Sequence, residues 1–259
     1  MGAGHAHAMY VHQHSPVHHL APEVKIVVAL AFTITVVATP REAVVAFGGY
    51  ALMVLALAVV ARVPAAWLAK RSLIELPFVA TALLLPFFAS GPRVDLLGLS
   101  LSVDGLWGGW NILVKGTLGV LIALLLAATT SARDLLVGLD RLRAPQAMTQ
   151  IAMFMLRYLE VLADEARRMR IARVSRLDDP RFLWQIKGFA SGLGTLFLRA
   201  FERGERVYLA MQSRGYTGRL PAALHADSTA TARQWAAGAA IPLVAVVVLL
   251  LFGGYPWKP

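Results

Sequence analysis

The sequence predicts an all-α fold: a polytopic membrane helix bundle of about five spans that carries long amphipathic helices on its cytoplasmic side. Three observations predict it. The chain is 58% hydrophobic with a mean hydropathy of +0.62, too apolar for an ordinary soluble domain. Five apolar stretches, each near the ~20 residues that a helix needs to cross the hydrocarbon core, are separated by polar breaks. Between the fourth and the fifth, apolar side chains recur every three or four positions with charge filling the gaps, the pattern of single-faced helices.

The elements follow in order. Residues 1–22 form a His-rich tail with six of the seven histidines, His5, His7, His12, His14, His18 and His19. Clustered imidazoles bind Ni, Co, Cu or Zn, while a flexible polar tail with incidental metal affinity is the plainer reading, since no carboxylate or cysteine completes a site. The first span runs from about Leu20 to Ala38, where only Ile26–Ala38 is a clean apolar run. Thr39-Pro40-Arg41-Glu42 is a tight turn, because proline stops the helix and the charges stay in water. Ala43–Ala61 is the second span, followed by a basic loop marked by Arg62, Lys70 and Arg71. The third, Leu73–Ser90, holds Glu75 near its start and is expected to kink at Pro77 and Pro86. A loop over Gly91–Asp104 leads to the fourth, Gly105–Ala132, where Gly116 and Gly119 would admit a close neighbour. Lys115 lies inside this span and is either an anchor that snorkels to the headgroups or a buried functional charge. The last span, Gln234–Trp257, ends on the aromatic anchor Tyr255-Pro256-Trp257.

This divides the chain into a tail (1–22), four spans (23–130), a cytoplasmic helical region (131–232) and a last span (233–259). Placing residues 1–25, 62–71 and 131–233 inside leaves only Arg41, Arg93, Lys258 and the intramembrane Lys115 elsewhere among the lysines and arginines. The positive-inside rule then sets the N-terminus in the cytoplasm and the C-terminus outside. The same cytoplasmic loops account for the net charge of +10, so a nucleic-acid partner is not needed to explain it. With no cysteine there is no disulfide framework, thiolate metal site or cysteine nucleophile. The N-terminus lacks the pattern of a cleavable signal peptide, so insertion would rely on the internal spans.

The cytoplasmic region holds two helical stripes. Ile151, Met155, Leu159, Leu162, Ala166 and Met169 share one face, as do Phe189, Leu193, Leu196, Ala200, Gly204, Val207 and Met211. Asp178-Asp179-Pro180 breaks the first helix and starts the second, proline suiting a first helical position. From Arg181 to Arg214, an unbroken helix would be roughly 50 Å long. Arginines crowd the outer faces, a pattern that also fits a solvated face or attraction to anionic lipid. Both helices, however, end on a small residue followed by arginine: Ala172-Arg173, and Ser213-Arg214 before a helix-stopping Gly215. A small neighbour lets a partner's surface approach, and a guanidinium pairs bidentately with a carboxylate.

These residues carry a resemblance. AMQSRGY (Ala210–Tyr216) and IARVSR (Ile171–Arg176) resemble the two coupling signatures of the transmembrane T component of energy-coupling-factor (ECF) transporters, specifically the cobalt-type CbiQ family. Val174 stands where the first signature usually has glycine. HHLAPEVK (His18–Lys25), Thr129-Thr130 and MLRYLE (Met155–Glu160) look like further landmarks of the family, so the likeness covers all but the His-rich tail. It implies a non-catalytic coupling subunit. Ala172, Arg173 and Val174 with Ser213, Arg214 and Gly215 would dock on a cytoplasmic ATPase dimer (CbiO-like), beside a substrate-binding membrane subunit (CbiM-like, with a CbiN-like accessory). No cofactor is implied.

The residues agree on separate grounds. The sequence has no G-x-x-x-x-G-K-[ST] phosphate loop, so nucleotide chemistry would come from another subunit. No carboxylate pair, nucleophile set or metal-ligand motif lies at a span centre, and Lys115 has the wrong sign to hold a divalent cation. Two alternatives stay open: a T component for nickel or a vitamin, and, in another class, a stand-alone secondary metal permease using the tail.

Overall fold

The computed structural model describes residues 9–11, 13–96, 99–176, 186–218 and 230–253. In chain order these form α1 (Pro22–Ala38), α2 (Val44–Val60), α3 (Ala65–Ser72), a 3-10 turn (Leu73–Glu75), α4 (Leu76–Phe88), β1 (Arg93–Leu96), β2 (Leu99–Ser102), α5 (Val103–Thr129), α6 (Ala132–Arg141), α7 (Gln146–Val174), α8 (Ile186–Ser213) and α9 (Ala232–Phe252). Two compact units result. One is an apolar bundle from Met9–Leu139 and Ser228–Pro259, the other a helical unit within Asp140–Asp227.

Among the described residues, three stretches are long and apolar enough to cross a membrane: Ala65–Phe88, Val103–Thr129 and Ala232–Phe252. Of the five spans expected, the first two come out as α1 and α2 at 17 residues each, the short end of what can cross. The basic loop expected at 62–71 is mostly helix: Lys70 and Arg71 sit in α3, and the Arg71 guanidinium lies 4.6 Å over the Trp67 ring, one turn back. Helix continues from there through the 3-10 turn, so Pro77 falls in the first turn of α4 and only Pro86 is interior. The loop expected at 91–104 contains a short antiparallel hairpin, with Arg93 opposite Ser102. The Ser102 hydroxyl then caps α5 by accepting from Gly105 N at 3.3 Å.

Close helix contact falls elsewhere than expected. A Cβ on Gly116 would make only an ordinary contact with Glu75 Oε1 at 3.5 Å and one on Gly119 would meet nothing within 4 Å, whereas one on Gly105 would lie 2.6 Å from Pro86 Cα and one on Gly109 2.5 Å from Ala82 O. The closest glycine contacts are thus in the N-terminal half of α5, where α4 crosses. Lys115 donates to Val37 O at 2.8 Å, one of the last carbonyls of α1, which have no partner within the helix. The core of the bundle closes around fully buried Tyr50. Phe32 and Phe47 meet it edge-on, and its hydroxyl reaches Thr39 Oγ1 (3.1 Å) and donates to Ala245 O (3.3 Å).

The tail departs from the flexible reading. Val11 N donates to Ala128 O at 3.0 Å, and Ser15 is buried. His18 Nε2 donates to Val11 O at 3.1 Å, which leaves Nδ1 to accept from the Ser15 hydroxyl at 2.7 Å. Desolvation lowers the pKa of this imidazole below its ordinary 6.5, against the pull of the Val11 hydrogen bond. Polar groups that the sequence reading left in water find partners here. His5, His7 and His12 lie outside the described residues, as do Asp178, Asp179 and Pro180 and the Tyr255–Trp257 anchor.

Candidate docking site

The helical unit rests on two helices of about 40 Å each, α7 with 29 residues and α8 with 28. Three contacts fix their direction. Tyr216 Oη donates to Gln150 Oε1 at 3.0 Å. Arg199 pairs with Glu165. A Cβ on Gly192 would lie 3.7 Å from Arg173 Nη1. As α7 advances from 150 to 173, its neighbours on α8 recede from 216 to 192, so the pair is an antiparallel hairpin. The two small-Arg signatures therefore stand at opposite ends. Arg173 lies beside Gly192, and Arg214 is 22 residues further along α8, roughly 33 Å away.

The two ends are built differently. In α8, Tyr216 N donates to Met211 O (3.0 Å) and Gly215 N to Gln212 O (2.9 Å), with Gly215 at φ +84°. That is a Schellman cap, which needs a residue able to enter the left-handed region. In α7 there is no such turn. Ser175 stays right-handed at φ −63°, and Arg176 N donates to Arg173 O at 2.9 Å, so the helix runs out through a tightened last turn. Valine at 174 is compatible with that geometry, because nothing there demands φ above zero. Ala172, Val174, Ser213, Arg214 and Gly215 are exposed and Arg173 is half-buried.

The two stripes are covered only in part. Leu196, Ala200, Val207 and Met211 are half-buried, whereas on α7 Ile151 (60%), Met155 (68%) and Leu159 (52%) stand in the open. The faces that meet are lined by Val161, Leu162, Leu196 and Ala200 together with Glu165 and Arg199. A second apolar ridge, Leu193, Phe197, Phe201 and Tyr208, is exposed along α8, with Phe197 and Phe201 stacked at 6.5 Å. Its spacing of four, four and seven was readable in the sequence, but only one stripe per helix was assigned. Arg167–Asp164 and Arg206–Glu202, both 3.9 Å and solvated, are the weak local pairs expected of a charged surface. Among the described residues no group of three or more His, Cys, Asp or Glu could hold a metal ion.

Comparison with known proteins bears on this arrangement. Residues 13–223 match the family model described as CbiQ, cobalt transport protein. The chain is 31% identical over 229 residues to the energy-coupling factor transporter transmembrane protein EcfT of Bacillus selenitireducens, covering 81% of this chain and 82% of that protein. It is 28% identical over 160 residues to the cobalt transport protein CbiQ of Rhodobacter capsulatus, covering 62% and 64%. Over 107 residues it is 29% identical to a putative fused cobalt transport protein CbiMQ of Methanocorpusculum labreanum, covering 41% of this chain and 18% of that protein.

Proposed function

Because the chain belongs to the CbiQ family of cobalt transport proteins, a family of membrane-embedded transporter components, we propose that it is the non-catalytic coupling subunit of an ATP-driven, ECF-type cobalt uptake system. Arg173 and Arg214, each beside a small residue, engage carboxylate-bearing grooves on the two copies of a cytoplasmic ATPase dimer of the CbiO kind. When nucleotide closes that dimer, its two halves push on the two ends of the hairpin, and the hairpin transmits the motion. The apolar bundle then changes its contacts with a separate substrate-binding membrane subunit of the CbiM kind, accompanied by a CbiN-like accessory. In this reading the N-terminus is cytoplasmic and the C-terminus outside, which the distribution of basic residues supports.

The observation that carries this reading is the separation of the signatures: two arginines at opposite ends of one rigid hairpin, roughly 33 Å apart, suit two receptors rather than one. The exposed ridge from Leu193 to Tyr208 supports it further, since a solvated surface alone does not retain stacked phenylalanines. The double charge reversal Arg173→Glu with Arg214→Glu is expected to abolish co-purification of the ATPase and uptake while membrane insertion persists. Normal ATPase recovery from that variant refutes the docking assignment. Co(II) uptake by the chain alone in liposomes would instead make it a stand-alone permease.

A further inference from the structure

One turn of α1 touches three other helices of the bundle, α5, α6 and α9. Pro22–Lys25 opens the helix with two charged residues, and both are buried: Glu23 is 4% exposed and Lys25 9%. A carboxylate and an ammonium each cost free energy on leaving water, so their partners decide whether the turn is stable. Glu23 Oε1 accepts from Ala230 N at 2.9 Å, immediately before Thr231, the residue that caps α9. Lys25 Nζ donates to Thr129 O at 2.9 Å, the last residue of α5, and to His18 O at 3.1 Å. The signs are sorted by the helix dipoles. The anion sits at the positive, N-terminal end of α9 and the cation at the negative, C-terminal end of α5. Exchanged, each charge would face a pole of its own sign.

Those two helix ends are where the chain leaves the bundle for the charged region and where it returns. Thr129 precedes α6 and the hairpin, and Ala230 follows them. The same turn receives α6 as well. A Cβ on Gly138 would come within 3.0 Å of Glu23 N and Pro22 C. On its other side, Val24, fully buried, fills the place of the missing side chain at Gly238 of α9, where a Cβ would lie 2.4 Å from Val24 Cγ1.

We infer that the first turn of α1 is the joint through which motion of the hairpin reaches the membrane bundle, with Glu23 and Lys25 as the positioning residues that clamp the outgoing and returning chain to it. The inference rests on the coupling reading above. Displacement of α7 pulls on α6, which ends at Arg141 just before α7 begins at Gln146 and is fastened to this turn, so α1 must move with it. Without the clamp the two exits slide independently, and ATP is hydrolysed without a matched change in the bundle.

The test uses the complete transporter, this chain with its ATPases and substrate-binding subunit, reconstituted in proteoliposomes, counting Co(II) taken up per ATP hydrolysed. Lys25→Met is expected to leave the complex assembled and hydrolysis running while the ratio falls about tenfold. Glu23→Gln, which keeps the shape and an accepting oxygen, should lower it about threefold. Lys25→Arg, which keeps charge and donors, should restore most of it. If Lys25→Met fails to assemble, Glu23→Gln alone decides. An unchanged ratio in Glu23→Gln and in any assembled Lys25→Met complex overturns the joint. Failure of the docking reading is separately visible, as ATPase retention in the Arg173→Glu, Arg214→Glu variant, which leaves α1 untouched.

Discussion

The ends of α7 and α8 present the same small-Arg signature on different backbones. At the end of α8 the stop is written locally: Gly215 at φ +84° closes a Schellman cap, and Tyr216 then reaches across to Gln150. At the end of α7 none of the described residues enters the left-handed region, and Arg173 lies half-buried against Gly192. One arginine is thus held by its own cap and the other by its neighbour helix. A helix end can be ordered by local sequence or by tertiary packing, and this chain uses one of each.

Charge reversal should separate the two most clearly. Arg214→Glu and Arg173→Glu are each expected to weaken ATPase binding by about 2–5 kcal/mol, the range for losing one partner of a desolvated charge pair. Only Arg173→Glu should also lower the melting temperature of the purified chain, because only that arginine packs on the hairpin. Equal melting temperatures would erase the distinction. A backbone exchange comes next in size. Gly215→Val should cost about 1–2 kcal/mol by forcing a branched residue into the left-handed region. Val174→Gly should cost less than about 1 kcal/mol, a matter of helix propensity. Amide exchange in the last turn of each helix reads both.

Tyr216→Phe removes one hydrogen bond, worth about 1 kcal/mol. It should speed amide exchange around Gln150 and leave the Arg173 end as it was. The smallest effect is a control remote in sequence from both tips. The native chain holds His18 neutral, with its pKa lowered by burial. Its contribution to stability is therefore present above the ordinary imidazole value of 6.5 and is lost as pH falls through the lower folded value. Thermal melting between about pH 7.5 and about pH 5 should show this loss, His18→Gln should flatten it, and ATPase binding should not follow it.

How much was legible in the sequence differs from element to element. The apolar runs of α2, α5 and α9 and the end of α8 could be read directly, since length, composition and a glycine cap are local properties. The SRG-Y signature marked the end of α8 for the same reason. The basic stretch at 62–71 was misread as a loop because its charges masked a helix in which Arg71 stacks on Trp67. The α7 stripe was legible as one face, but its exposure was not, because periodicity reveals that a helix has two faces, not what covers them. The His-rich tail looked loose because its partners, Ala128 O and the ammonium of Lys25 at His18 O, lie on other elements.

By itself, the sequence determined the helical class, the apolar spans, the two arginine-bearing helix ends and the family landmarks, all of which depend on residues near one another along the chain. Tertiary structure alone decided that the two tips stand at opposite ends of an antiparallel pair, and that Glu23 and Lys25 are buried and bound to Ala230 and Thr129. Those facts join residues 66, 207 and 104 positions apart. No local preference encodes such a pairing, because it exists only once the helices have packed and the exposed ends of one have become the hydrogen-bond partners of another.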